Sequence, residues 1–262
     1  MDRRNFLRAL GVGGLGGVAG CTDSGGGSTP SSTEMGEMTG TETMGGTETT
    51  GGTETMGEGT PTDSPTATQT PYDVSGTPIG EHPATADINA QPVRGEMTGN
   101  LIVSFEDPSC TVCRGFHETT VPQIQSNLVE TGKAAYAVRT YPVVYAWGEP
   151  ATHALEATFA RSESAFFDLL DYYFRTQSEF TARNVLGRTE TFLKRTDVDA
   201  AAVRKDAEEK AFADAVQADL DAGMKAGAGT ITPTLFLFRD GAYVTKASGS
   251  VSYDLIAAAL GV

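Results

Sequence analysis

Two of the three cysteines in the chain, Cys110 and Cys113, stand two residues apart in the segment FEDPSCTVCRGFH. A Cys-x-x-Cys pair can be a structural disulfide, half of a metal site or a redox centre. A disulfide that closes a loop of four residues gains about 2 kcal/mol in the chain-entropy model, against about 4.7 kcal/mol for a loop of a hundred residues. The spacing therefore disfavours a purely structural disulfide.

A metal site is also disfavoured, because structural zinc is held by four nitrogen or sulfur ligands that usually come in two pairs. His117 is the one histidine near the cysteine pair, and His82 and His153 show no paired spacing. No histidine directly follows Cys113, so the haem-attachment pattern is absent. We therefore predict no metal site.

The elements around the cysteine pair favour the redox interpretation. Residues 101–105 are apolar and β-branched, which is typical of a strand, and residues 106–109 interrupt that pattern. Apolar residues then recur at helical spacing over 112–128, with a kink expected at Pro122. A cysteine at the start of a helix faces unpaired N–H groups and the positive end of the helix dipole, which both favour the reactive thiolate.

The remainder of the C-terminal region predicts a mixed α/β domain. The predicted elements are a second strand at 134–138, helices within 151–175, 198–225 and 253–260, and a strand TLFLF that follows Thr232-Pro233 and ends in the hairpin turn Arg239-Asp240-Gly241. Aromatic residues in these segments, with the single tryptophan Trp147, are assigned to the core or surface and not to a site.

This order of elements resembles the thioredoxin fold, and a helical insertion between the second strand and the proline-bearing strand makes it similar to the DsbA-like thiol-disulfide oxidoreductases. The segments LIVSFEDPSCTVCRGFH and AGAGTITPTLFLFRDG carry the resemblance, which covers about residues 78–262. It implies that Cys110 is the nucleophile, that Cys113 is the resolving thiol, and that Pro233 is a cis-proline whose neighbour Thr232 contacts the substrate. It implies no cofactor besides the Cys110–Cys113 disulfide.

The expected partners are client proteins that carry thiols or disulfides and a membrane redox partner.

Two positions depart from the family pattern: Ile231 stands where a glycine is frequent, and Thr111-Val112 lacks the histidine of strongly oxidising members. We expect the oxidase direction. A reductase or isomerase fed by a membrane partner, and a non-catalytic binding module, are the alternatives.

Two ionisable residues, Glu106 and His117, lie near the cysteines in the sequence. Glu106 is a candidate for the buried acid that relays protons in such folds, although sequence spacing does not fix the direction of its side chain. His117 lies four residues beyond Cys113 on the same helical face, and we expect it to face solvent and not to tune the thiols.

The N-terminus resembles an export signal. Basic residues precede an apolar run over 9–19, which is about half of the ~20 residues that span a bilayer. The pair Arg3-Arg4 lies in DRRNFL, which resembles a twin-arginine motif, and VAGC resembles a lipobox that would place a lipid on Cys21. We therefore expect a lipid-anchored protein on the extracytoplasmic face of the cell membrane, with residues 1–21 as the signal.

Composition divides the rest of the chain into a tether at 22–75 and a folded domain at 76–262. The tether is rich in Gly, Thr, Ser and Glu. Its repeat of TETMGG-like units over 41–58 has a single apolar position, which alternates Met, Thr and Met, so no core can form and we expect the tether to be disordered. The chain has 34 acidic and 19 basic residues, a balance that excludes a typical nucleic-acid-binding surface. An acid-rich, lysine-poor surface resembles that of proteins from salt-loving organisms such as haloarchaea.

Overall fold

The structure is a computed structural model and describes residues 75–262. The predicted signal at 1–21 and all but the last residue of the predicted tether at 22–75 lie outside the described residues. Within the described part of the chain, no helix is both long enough and apolar enough to cross a membrane.

A five-stranded sheet forms the centre of the domain, with strand order β1-β3-β2-β4-β5. Strands β2 and β3 pair in parallel, and all other neighbours are antiparallel. The strands are β1 (Val93–Arg94), β2 (Leu101–Glu106), β3 (Ala135–Thr140), β4 (Thr234–Arg239) and β5 (Ala242–Ser248). The central position of β2 places its C-terminal end, where the cysteines follow, between β3 and β4.

Eight α-helices surround the sheet in the described region, and five of them lie between β3 and β4. They are α1 (Thr111–Thr119), α2 (Val121–Ile124), α3 (Gly148–Phe159), α4 (Glu163–Arg175), α5 (Val185–Leu193), α6 (Ala200–Glu208), α7 (Ala213–Ala226) and α8 (Tyr253–Leu260). The predicted α/β class with a helical insertion before the proline-bearing strand is therefore confirmed.

Both faces of the sheet are covered by apolar cores, which explains why every residue of β2 is buried. Ile102 points into the larger core, formed with α1, α3, α4 and α8, whereas Val103 points into a second core that includes residues of α7. Successive strand residues alternate between the faces, so both positions had to be apolar.

Local patterns predicted several elements with small errors in their bounds. The strand predicted at 134–138 runs from Ala135 to Thr140, and the helix predicted at 253–260 has those bounds. The hairpin turn is confirmed, with Asp240 at φ 53° and Gly241 at φ 84°, the left-handed pair of a type I′ turn.

The helical stretch predicted within 151–175 is divided into two helices, α3 and α4. The second begins after Ser162, the N-cap residue, whose hydroxyl accepts a hydrogen bond from the N–H of Ala165. The stretch at 198–225 is likewise divided, near Lys210 at φ 52°. Strand β1 and helix α5 were not predicted.

Candidate functional site

The cysteine pair lies at the junction of the central strand β2 and helix α1. Cys110 is the N-cap residue of α1 with extended backbone angles, and its Sγ accepts a hydrogen bond from the N–H of Cys113 at 3.4 Å. Its own N–H donates to the main-chain oxygen of Asp107 at 3.0 Å. A sulfur atom thus takes the place that a serine or aspartate oxygen commonly has at a helix N-cap, and both cysteines are free thiols here.

The two thiols are both buried. Cys113 is fully buried and Cys110 is 5% exposed. The loop before β4 covers Cys110, because the main-chain oxygen of Thr232 accepts a hydrogen bond from the Cys110 thiol at 3.2 Å. The Thr232–Pro233 peptide bond is cis. The structure therefore brings together Cys110, Cys113, Thr232 and Pro233 from opposite ends of the domain sequence.

The surroundings make the two cysteines chemically different. A hydrogen bond from the Cys113 thiol outweighs burial and, with smaller effects from the side chain of Thr232 and the N–H groups of Cys113 and Val112, lowers the pKa of Cys110 to about 6. Burial, the hydrogen bond to Cys110 and the negative charge of Glu106 raise the pKa of Cys113 well above its ordinary value. The Cys110 thiol therefore ionises more readily than the Cys113 thiol, and the thiolate is the form of cysteine that attacks disulfides.

A buried ion pair lies beneath this helix and corrects the prediction for His117. Its imidazole is buried, not solvent-facing, with Nε2 2.6 Å from Oε2 of Glu106. The other carboxylate oxygen of Glu106 accepts hydrogen bonds from the hydroxyls of Ser104 and Tyr136. The side-chain direction of Glu106, which sequence spacing left open, is therefore inward.

The electrostatics of the pair favour its ionised form. Burial alone would raise the pKa of Glu106, but the charge and hydrogen bond of His117 hold it below its usual value. Burial alone would lower the pKa of His117, but Glu106 and Asp171 raise it to about 9. Each charge is compensated by the other, as buried charges require.

The ion pair continues toward solvent through Asp171. One oxygen of this carboxylate lies 3.6 Å from His117 Nδ1, and the other accepts a hydrogen bond from Arg94 at 3.2 Å. A cavity of about 470 Å³ borders these residues, and its lining includes none of the residues that contact Cys110. The buried acid therefore connects to solvent at a place separate from the cysteine surface.

A glutamine from the helical insertion braces the cysteine turn. The Nε2 group of Gln177, a buried side chain after α4, donates hydrogen bonds of 2.9 Å to the main-chain oxygens of Pro108 and Cys110. Gln177 therefore fixes the backbone on both sides of Ser109, and no local signal in the sequence pointed to it. Across residues 75–262, no three His, Cys, Asp or Glu side chains are grouped closely enough to hold a metal ion.

Comparison with known proteins agrees with this architecture. Residues 89–252 match a family model described as thioredoxin, and because this segment exceeds half of the chain, the protein belongs to the thioredoxin family. None of the curated proteins compared with the chain matches it.

Solved structures, among them two that are named DsbA, share the fold. BdbD from Bacillus subtilis in its oxidised form aligns with a TM-score of 0.60 and 22% identity over 72% of this chain and 96% of its own. α-DsbA1 from Wolbachia pipientis aligns with a TM-score of 0.57 and 18% identity over 65% and 89%. DsbA from Chlamydia trachomatis aligns with a TM-score of 0.56 and 19% identity, over 68% of this chain and 93% of its own. The chain thus has a DsbA-like thioredoxin fold.

Proposed function

We propose that the protein is a thiol-disulfide oxidoreductase that exchanges disulfides with exported proteins through Cys110 and Cys113. The observation that carries the proposal is the contrast between two adjacent thiols, one with its pKa lowered to about 6 and the other with its pKa raised. Membership of the thioredoxin family supports the same chemistry.

In the oxidase direction, a client thiolate attacks the sulfur of Cys110 in the enzyme disulfide. The Cys110–Cys113 bond breaks, and Cys113 leaves and takes up a proton because its pKa is high. A second client thiolate then attacks the client sulfur of the mixed disulfide, and Cys110 leaves as a thiolate. The client loses two electrons and gains a disulfide, and a membrane redox partner must reoxidise the enzyme.

The lowered pKa of Cys110 supports the oxidase direction. A shift from 9.0 to about 6 corresponds to about 4 kcal/mol of thiolate stabilisation. Stabilising the thiolate favours the reduced enzyme, which makes its disulfide a stronger oxidant. A reductase or isomerase would use the same two cysteines with electrons supplied from the membrane side.

Exposed apolar residues near the cysteines suit an unfolded client. Val112 lies between the two cysteines and Ile231 precedes Thr232. Val144 and Tyr145 lie in the loop after β3, which contacts Ser109. We call these four residues the apolar rim. Extended chains that have not yet folded expose apolar side chains, so we propose that the rim binds a client segment beside its cysteine.

We propose that Glu106 exchanges the proton that Cys113 takes up or releases. Its charge contributes to the raised pKa of Cys113, which supports a position close to that thiol. The ion pair with His117 and the link to Asp171 supply further proton-bearing groups between this acid and solvent.

We further propose that a lipid on Cys21 anchors the domain outside the cell and that residues 22–75 act as its tether. We also propose that the acidic surface of the domain is adapted to high salt outside the cell. In the native host, Cys21→Ser should release the protein from the membrane fraction, whereas Arg3→Lys with Arg4→Lys should block export. Cys21→Ser protein that stays in the membrane fraction would refute the anchor.

Turnover assays test the enzymatic proposal. The described domain, residues 75–262, should promote refolding of reduced ribonuclease with a glutathione redox buffer, and Cys110→Ser should abolish the effect. Insulin reduction with dithiothreitol measures the reductase direction in parallel. Faster insulin reduction without ribonuclease oxidation would favour the reductase, and turnover in neither assay would leave only a binding module.

A further inference from the structure

The carboxylate of Asp107 joins the cysteine turn to the loop after β3. One oxygen accepts hydrogen bonds from the N–H and hydroxyl of Ser109 at 2.7 and 2.6 Å. The other accepts from the N–H groups of Val143 and Val144 at 2.8 and 2.7 Å. Asp107 is fully buried, so these four donors take the place of water around its carboxylate.

Ser109 extends the connection by one further bond. Its hydroxyl oxygen, which donates to Asp107, also accepts a hydrogen bond from the N–H of Tyr145 at 3.0 Å. Three consecutive N–H groups of the loop, at residues 143–145, therefore converge on the Asp107–Ser109 pair.

The main chain of Asp107 also contacts the nucleophile. Its carbonyl oxygen accepts a hydrogen bond from the N–H of Cys110 at 3.0 Å. One residue thus contacts Cys110 and the loop that bears half of the apolar rim, Val144 and Tyr145, which are 42% and 57% exposed.

Resting on the proposed function, we propose that Asp107 and Ser109 are positioning residues that hold loop 143–145 as a wall of the client site. The distance between this wall and Cys110 would then set the preference for protein clients with apolar residues beside their cysteine over small thiols. Without the Asp107–Ser109 pair, these three N–H groups would lose the partners that hold the loop at its present distance from Cys110.

Gly148, at the start of α3, allows a sharp test because it lies against the same pair. A methyl group there would stand 2.5 Å from Oδ1 of Asp107 and 2.9 Å from Oγ of Ser109. Gly148→Ala therefore displaces the pair without deleting an atom, although alanine itself favours helix. Ser109→Ala removes the link to Tyr145 from the other side.

The experiment measures kcat/KM for a reduced unfolded protein and for glutathione with the same enzymes. In Ser109→Ala and Gly148→Ala, we expect the efficiency with the protein client to fall about tenfold more than the efficiency with glutathione, mostly through KM. Gly115→Ala is the matched control, because nothing lies within 4 Å of the added methyl group, and its ratio should equal that of the wild type.

A binding measurement keeps the inference separate from the proposed chemistry. An apolar peptide with serine in place of its cysteine should bind the wild type and should bind Ser109→Ala and Tyr145→Ala at least fivefold more weakly. The positioning role would be overturned if kcat/KM fell equally with the protein client and with glutathione. Unchanged peptide binding in these variants would overturn it as well. A wild-type enzyme that binds the peptide but exchanges no disulfide would instead overturn the proposed function alone.

Discussion

The imidazole Nε2 of His117 lies 2.6 Å from Oε2 of Glu106, and this buried pair links the back of the cysteine helix to the central strand. The pair spans only eleven residues of sequence, yet it fixes the face that helix α1 turns toward the sheet. The contribution of this pair to the stability of the domain must depend on pH, because each partner stabilises the charged form of the other.

His117→Gln should destabilise the domain most strongly at about pH 5 to 6.5. The folded-state pKa of His117 is raised from 6.5 to about 9, so its stabilising contribution is complete below 6.5 and is lost as pH rises through 9. The pKa of Glu106 is lowered, so its contribution is lost as pH falls through the folded value. The shift of His117 corresponds to on the order of 3 kcal/mol.

Denaturant unfolding of both proteins between pH 5 and 9.5 measures this difference. His153→Gln is the matched control, because burial lowers the pKa of His153 and its own contribution is lost as pH falls. A His117→Gln penalty that stays constant across this range would mean that the ion pair is not ionised in the folded protein.

Replacing Cys113 should change the acidity of Cys110. The Cys113 thiol is the largest cause of the lowered Cys110 pKa, so Cys113→Ala should raise that pKa by about 1 unit, the size of one hydrogen bond to a charged group. Cys113→Ser keeps a donor and should raise it less. The pH dependence of Cys110 alkylation reports the value. Equal pKa values in the wild type and Cys113→Ala would assign the effect to the helix N–H groups alone.

High salt should leave the acidity of Cys110 almost unchanged. Burial and hydrogen bonds, and no distant charges, account for its pKa. The Debye length is about 3 Å at ~1 M salt, which screens distant charges but not contacts of this kind. Titration by thiolate absorbance at low and high salt should therefore give values below that of free cysteine in both. A return to ~8.5 at high salt would show that long-range charge stabilises the thiolate.

Features that depend on neighbouring residues could be predicted from the sequence alone. The strand before the cysteines, the helix start at Cys110 and the turn at Asp240-Gly241 follow from apolar runs, capping and turn chemistry within a few positions. The break at Ser162 also had a local signal, a serine at the N-cap, which the apolar periodicity on both sides obscured.

Other features depend on partners far along the chain. The inward direction of His117 is determined by Glu106 on the central strand. The hydrogen bonds that brace the cysteine turn come from Gln177, which lies in the helical insertion, 67 residues after Cys110. Cys110 is covered because Thr232, 122 residues away, packs over it. Helical periodicity carries no information about which of these long-range contacts will form.

Mixed-disulfide trapping tests the central claim, that Cys110 attacks and Cys113 resolves. Purified Cys113→Ser and Cys110→Ser proteins are incubated with an oxidised client and separated on non-reducing gels. Cys113→Ser should accumulate a client adduct through Cys110, because no second thiol can release it, and Cys110→Ser should trap almost none, because Cys113 is fully buried and its pKa is raised. Equal trapping by both variants, or trapping by Cys110→Ser alone, would contradict the assignment.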